Sequence, residues 1–257
     1  MSKIVEIMNP VSVLRRLFTY TPPDQTDFWR NRAQESGTKS VLWSNEVYNE
    51  CAQRDQWAAI TRNLPETRGH VLDLGCGTGR LSLPLGELFA RYTGVDLDTM
   101  VAEARRRHPA FKGEYVAAKA QEYDFPPDTF DLVLSMACLS SACRADEMPD
   151  MARRIAASLK PGGRAVMIDP FHKLPLLLRN CRLTAREVID LFESAGLKQR
   201  EWSGVHFIPG RLLFTRPGMD QHAGLTRAGY RLGEIINRLA PRRFADYIVI
   251  ALEKSYE

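Results

Sequence analysis

Val71-Leu72-Asp73-Leu74-Gly75-Cys76-Gly77-Thr78-Gly79-Arg80 runs from a short apolar segment into three glycines set one residue apart, and Leu81-Ser82-Leu83-Pro84-Leu85 follows at once with helical spacing. The pattern predicts a strand, a tight turn and a helix start. Glycine is wanted where the backbone turns sharply and a ligand must come close without a Cβ in the way, and a fresh helix offers unpaired N–H groups. A nucleotide-like ligand fits such a turn. A dinucleotide site usually reads Gly-x-Gly-x-x-Gly and needs no acid inside the strand, whereas this chain reads Asp-x-Gly-x-Gly-x-Gly. A carboxylate at Asp73 would repel a pyrophosphate and suits a ligand with a positive group at that point.

Three further segments fall into line with the first: Tyr92-Thr93-Gly94-Val95-Asp96-Leu97-Asp98; Ala118-Lys119-Ala120-Gln121-Glu122 leading to Phe130-Asp131-Leu132-Val133-Leu134-Ser135-Met136; and Leu159-Lys160-Pro161-Gly162-Gly163. Together, from Gly69 to Leu197, they closely resemble the class I S-adenosylmethionine-dependent methyltransferases. The resemblance implies S-adenosyl-L-methionine as cofactor, whose ammonium would match Asp73. It places Asp73, Gly75, Cys76, Gly77 and Gly79 around the methionine part, Asp96 on the ribose hydroxyls, Leu97 against the adenine and the Gln121 backbone at an adenine ring nitrogen. Met136 ends the fourth strand beside the same site, and Trp43 and Tyr48, on helices that close over the cofactor in relatives, are expected to touch it. One departure stands out. Many relatives carry Gly-Asp where this chain has Ala118-Lys119, so Glu122 or a carbonyl would have to receive the adenine amino group.

From Gly69 strand and helix patterns alternate, which predicts an α/β fold: a seven-stranded, mostly parallel sheet with helices on both faces. Strands are expected at 70–74, 91–96, 113–118, 130–136, 163–169, 197–204 and 245–252, with helices near 80–90, 98–107 and 146–159. Thr184-Ala185-Arg186-Glu187 is a capping box opening a helix that runs to Ala195 and stops at Gly196. The resemblance implies an antiparallel hairpin for the last two strands, yet about 40 residues lie between them. The expected organisation is a single methyltransferase domain over 1–257, with an N-terminal helical cover (1–66), a Rossmann-like core (67–204 and 245–257) and an insert before the last strand (205–244) that acts as a substrate lid or as added packing.

The chain of 257 residues, 44% hydrophobic and 26% charged, suits one elaborated soluble domain. No apolar run approaches a spanning helix and no secretion signal opens the sequence, which predicts a cytoplasmic protein. Five cysteines without Cys-x-x-Cys spacing suggest free thiols, with neither a disulfide framework nor a metal site. The net charge of +4 is unevenly placed: from Lys160 onward there are 16 Lys and Arg against 10 Asp and Glu, and before it 19 against 21. Residues 3–19 mix Ile4, Val5, Met8, Leu14, Leu17 and Phe18 with Lys3, Arg15 and Arg16. Such an amphipathic stretch either packs on the domain or makes a peripheral membrane contact.

Methyl transfer from a sulfonium is an in-line displacement, so the protein chiefly aligns the reacting atoms. In relatives that methylate exocyclic amines an Asn/Asp-Pro-Pro-aromatic turn follows the fourth strand; here that position is Ser135-Met136-Ala137-Cys138. With no dense basic patch either, a nucleic acid acceptor is disfavoured and a small molecule expected. The leading expectation is O-methylation of a sugar, glycolipid or polyketide-type acceptor. C-methylation of a quinol or lipid precursor, or a cofactor-binding module without chemistry, are the alternatives. A sugar hydroxyl would need a general base. His172, after the fifth strand, and His206, after the sixth, are the candidates, because ligands of open α/β sheets bind at the carboxyl ends of strands; Asp169 is a third.

Overall fold

His70–Leu74 forms β1, fully buried along its length and paired in parallel with β2 (Arg91–Asp96) on one side and β4 (Phe130–Met136) on the other. The computed structural model describes residues 26–172, 181–216, 218–239 and 244–256. The amphipathic stretch 3–19 therefore lies outside the described residues.

The sheet continues with β3 (Glu114–Ala117), β5 (Leu159–Asp169), β6 (Leu197–Phe207) and β7 (Ala245–Lys254) in the order β3-β2-β1-β4-β5-β7-β6. All pairings are parallel except those of β7, which runs antiparallel to both β5 and β6. The expected α/β class, with its mostly parallel seven-stranded sheet, is thus the observed one.

Alternation at period two feeds two cores. Leu72, Val133, Ala165, Met167, Ile248 and Ile250 face one; Val71, Leu132, Leu134, Val166, Val249 and Ala251 face the other. The first is covered by α6 (Met148–Ser158) through Met151 and Ile155 and by α7 (Ala185–Ser194) through Val188 and Phe192. The second is covered by α2 (Glu46–Thr61), α3 (Ser82–Leu88) and α4 (Asp98–Arg107) through Ile60, Leu85 and Val101. Each such side chain contributes about 1.5–3 kcal/mol by leaving water. The capping box at Thr184 is present in both halves, with Glu187 reaching back to the Thr184 backbone. Two short helices complete this part: α1 (Thr26–Arg32) and α5 (Leu139–Ala142).

Beyond β6 come α8 (Ile208–Phe214) and α9 (Ala223–Leu239). The sixth strand runs to Phe207 rather than ending near 204, because it keeps pairing with β7 as far as Phe207 opposite Ala245. The insert is accordingly 208–244, and His206 sits inside the strand. The insert seats Phe214 and Tyr230 against Tyr48, Cys51 and Ala52 of α2, and Arg211 pairs with the buried Asp246 at 2.6 Å. It thus stands on the helix preceding β1, and no described residue of 208–244 lines the principal cavity. That placement departs from the expected lid.

Candidate active site

The glycine turn closes against the neighbouring strand. Gly75 N and Cys76 N both donate to Val95 O, at 2.8 and 3.1 Å. Gly75, Gly77 and Gly79 all adopt positive φ, which a Cβ would penalise. Asp96, at the end of β2, closes the turn from the other side: its Oδ2 accepts from Gly77 N and its Oδ1 from Leu97 N, each at 2.7 Å. Burial pushes the Asp96 carboxyl up to about 6, against the lowering pull of those two backbone donors. Asp73 is buried in β1 and accepts from Tyr92 Oη at 2.9 Å, at the end of a chain running from Tyr115 Oη to Ser82 Oγ to Tyr92. Burial raises it also to about 6, outweighing the Tyr92 hydrogen bond and the nearby Arg80 charge.

At this end of the sheet lies a cavity of about 560 Å³, within the range of small-ligand sites. Gly75, Gly77, Val95, Asp96, Leu97 and Met100 form one wall, Ala118, Lys119 and Gln121 a second, and Met136, Ala137, Cys138, Ser141, Ala142, Arg144 and Glu147 a third, while Thr26, Trp29 and Val41 close it from the N-terminal side. Ala137 holds a positive φ of 56°, a strained backbone where β4 opens onto the cavity. A recess of about 40 Å³ shares Val41, Gly75, Gly77, Met136 and Ala137 with it and adds Gln56, Asp73, Cys76, Arg80 and Tyr247. Gln56 is fully buried, and its Oε1 has no hydrogen-bond partner among the described residues.

Asp73, Gly75, Cys76, Gly77, Asp96, Leu97, Gln121 and Met136 are therefore gathered around the cavity and its adjoining recess. Gly79 is not among them: a Cβ there would meet His108, Tyr115 and Ser82 within 3.1 Å, so this glycine serves the turn and faces away from the space. Glu122 stays outside too, its exposed side chain 3.9 Å from Lys119, while Glu147 is the acid that lines the cavity, on the third wall. Tyr48 is likewise displaced from its expected place, buried edge-on between Trp43 and Tyr230. Trp29, Val41, Gln56 and Arg80 were not legible as lining residues. Only Arg80, adjoining the third glycine, carried a positional signal.

The three base candidates are held elsewhere. Asp169 is fully buried and accepts from Ser135 Oγ and Ser140 N, both at 3.0 Å, so it ties β5 to the start of α5. His172 donates through Nε2 to Asp246 O at 2.9 Å. His206, fully buried with φ 63°, accepts from Gln56 Nε2 and donates through Nδ1 to Tyr230 Oη, both at 3.1 Å; Tyr230 in turn donates to Asp55 Oδ2 at 2.8 Å. None of the three lines the cavity or the recess: Asp169 and His206 are fully buried behind the lining residues, and His206 reaches the recess only through Gln56.

Burial, with Arg211 and Arg80 nearby, lowers His206 to about 3. Below about 6.5 the unfolded chain would take up this proton and the folded one would not, so stability present above that pH is lost as pH falls toward 3. Urea unfolding at pH 7.5 and 5.0 should show wild type losing about 2 kcal/mol more than His206→Gln over that interval. Parallel losses in the two proteins would contradict the buried neutral imidazole.

Among the described residues no cluster of His, Cys, Asp or Glu is suited to a metal ion, and no helix is long and apolar enough to cross a membrane. All five cysteines are free.

Residues 71–163, which build the glycine turn and the walls around it, match the family model of a methyltransferase domain. The ubiquinone biosynthesis O-methyltransferase of Aeromonas salmonicida (strain A449) is 30% identical over 166 residues, 54% of this chain and 67% of that protein. The protein of the same description from Methylobacterium nodulans is 33% identical over 179 residues, 60% and 71% of the two chains. Among solved structures, the cyclase SpnF superposes with a TM-score of 0.59 at 21% identity, covering 96% of each chain. Haemonchus contortus phosphoethanolamine N-methyltransferase 2 in complex with S-adenosyl-L-methionine superposes with a TM-score of 0.56 at 22% identity, covering 79% of this chain and 52% of that one. An acid-bearing strand, a three-glycine turn closed by a second acid, a family model matching that same stretch and relatives at 30–33% identity lead to one assignment: the chain belongs to the class I S-adenosylmethionine-dependent methyltransferases, and S-adenosyl-L-methionine is its cofactor.

Proposed function

We propose that this methyltransferase acts on an oxygen of a small acceptor whose hydroxyl is acidic in its own right, a phenol, quinol or enol of polyketide or quinone type, rather than on a sugar alcohol. The observation that carries this reading is the engagement of both candidate imidazoles away from the cavity: His172 on Asp246 O, and His206 between Gln56 and Tyr230. A sugar hydroxyl needs a positioned base to give up its proton, whereas a phenolic one, with a reference pKa of about 10, ionises far more readily. The description of two relatives as O-methyltransferases supports oxygen as the atom.

The residues around the space fit the cofactor. A Cβ on Gly75 would lie 2.3 Å from the Cys138 Cβ, so only a glycine lets the turn pack against Cys138 at the edge of the cavity. The unpartnered Gln56 Oε1 and the Asp73 carboxylate give the recess two acceptors for an ammonium, and Arg80 adds a cation suited to a carboxylate. Asp96 would take the ribose hydroxyls, with Leu97, Met100 and Gln121 beside the adenine. The bound cofactor supplies an electrophilic methyl on a positively charged sulfur. Gly75, Gly77 and Met136 border both the cavity and the recess and hold the reacting ends in register, which is where alignment lowers the barrier. We read the whole as one domain, residues 26–66 completing the cofactor site and 208–244 packing on α2 away from the cavity.

Release of S-adenosylhomocysteine, measured across phenolic, quinolic and sugar-alcohol acceptors, tests the proposal. Turnover should appear with the acidic hydroxyls and rise with pH through the acceptor's own ionisation. Turnover confined to sugar alcohols, or a rate governed by a group near pH 6.5, would reject it.

A further inference from the structure

The helix α9 is turned inside out. Its buried positions are Thr226, Tyr230, Gly233 and Asn237, small or polar, while Leu225, Leu232, Ile235 and Leu239 are 52–81% exposed. Leu225, Leu232 and Leu239 recur every seven residues with Ile235 between, so they form one stripe. A globular helix ordinarily buries such a stripe. Here rotation is blocked: a Cβ at Gly229 would lie 2.0 Å from the Phe214 ring, and one at Gly233 2.9 Å from Phe207 Cβ. The glycine side is seated because only it fits, and the leucines are left outside. Leu212 and Leu213 of α8 are exposed as well. Seven of the ten large apolar residues exposed among the described ones fall within 208–244, a concentration unlike the scattered exposure of an ordinary surface.

Charge selects the occupant. The stretch 208–244 carries seven arginines against Asp220 and Glu234, of which Arg211 is held by the buried Asp246 and Arg227 lies 3.5 Å from Glu50. Arg227, Arg231 and Arg238 are exposed on α9 itself, along one border of the apolar stripe. A second copy of the chain docking face to face would bring these like charges together. An anionic bilayer surface takes both features at once, the stripe entering the acyl boundary and the guanidinium groups meeting phosphates.

We propose that the α8–α9 face is a peripheral docking surface for anionic phospholipid membranes. It is independent of the acceptor assignment, and lipid binding needs neither cofactor nor turnover.

Full-length protein is mixed with vesicles of phosphatidylcholine containing phosphatidylglycerol, or of phosphatidylcholine alone, and the bound fraction is read by flotation. Binding should be at least tenfold stronger to the anionic vesicles and should fall as salt is raised. Leu232→Glu combined with Leu239→Glu should weaken it at least tenfold while the unfolding midpoint stays put, because both side chains are already in water. Arg231→Glu combined with Arg238→Glu should abolish the preference for anionic lipid. Failure of the wild type to bind overturns the proposal. So does equal binding by the leucine variant, which would put the contact elsewhere on the chain, the stretch 3–19 included. A wild-type dimer that becomes monomeric in the leucine variant, without vesicle binding in either, would assign the face to a second copy instead.

Discussion

Asp96→Ala should weaken binding of S-adenosylhomocysteine by about 1.5–3 kcal/mol, a factor of roughly 10 to 150, when titrated calorimetrically at neutral pH. The carboxylate lies at the end of β2 on the cavity wall, as the proposed ribose contact requires, and hydrogen bonds to a charged acceptor are the stronger kind. Part of the loss would be indirect. Asp96 also receives Gly77 N and Leu97 N, so its removal frees two backbone donors and loosens the turn. Asp96→Asn, which keeps an acceptor oxygen, should lose less. The pH profile gives a second handle. Because burial raises this carboxyl to about 6, the ligand-free site takes up a proton as pH falls through that value and loses its capacity to accept from two hydroxyls. Affinity should therefore fall between pH 7 and 5. Asp73, raised to a similar value, contributes to the same slope, so Asp96→Asn should flatten it only in part. A folded Asp96→Ala protein with unchanged affinity would reject the ribose role.

Gly75→Ala should destabilise the fold by about 2–5 kcal/mol. Two costs combine. At φ 81° an L side chain pays about 1–2 kcal/mol for the left-handed backbone, and the new Cβ would stand 2.3 Å from Cys138 Cβ and 2.7 Å from its Sγ, which forces overpacking of about 1–3 kcal/mol. Adding Cys138→Gly should recover the steric part and leave the backbone part. Urea denaturation of the two single variants and the double variant separates them. Additive losses would mean that the clash is absorbed elsewhere.

What could be read from the sequence follows from how local each signal is. The strand β1 and the turn after it were legible because apolar residues, an acid and three glycines sit within ten positions, and each answers to a short-range rule. The same holds for Thr184 and Glu187, which cap α7 within four residues of each other. Long-range placement was not legible. Nothing in the local pattern says that β6 keeps its ladder through Phe207, since the last pairs depend on Ala245 and Tyr247 across the insert. His206 accordingly read as a residue at a strand mouth, although the structure buries it between Gln56 of α2 and Tyr230 of α9, 150 and 24 residues away. Tyr48 read as a cofactor contact for a similar reason: periodicity identifies its buried face but not which partner covers it. Gln56 and Trp29 line the site from helices upstream of the turn, and polar or aromatic residues on such helices carry no mark that separates lining from packing.

The position of β7 sets the order in which the sheet can be assembled. Among the described residues β6 has no strand neighbour except β7, and β7 also completes the ladder along β5. A nascent chain that has emitted β6 must add about 47 residues, from Phe207 to Lys254, before that strand can pair. At ordinary synthesis rates of about 5–20 residues per second, the wait is some 2 to 10 seconds. For that interval Val205 and the open edge of β5 have no cover, so the cotranslational period is when this chain is most exposed to aggregation and to chaperone capture.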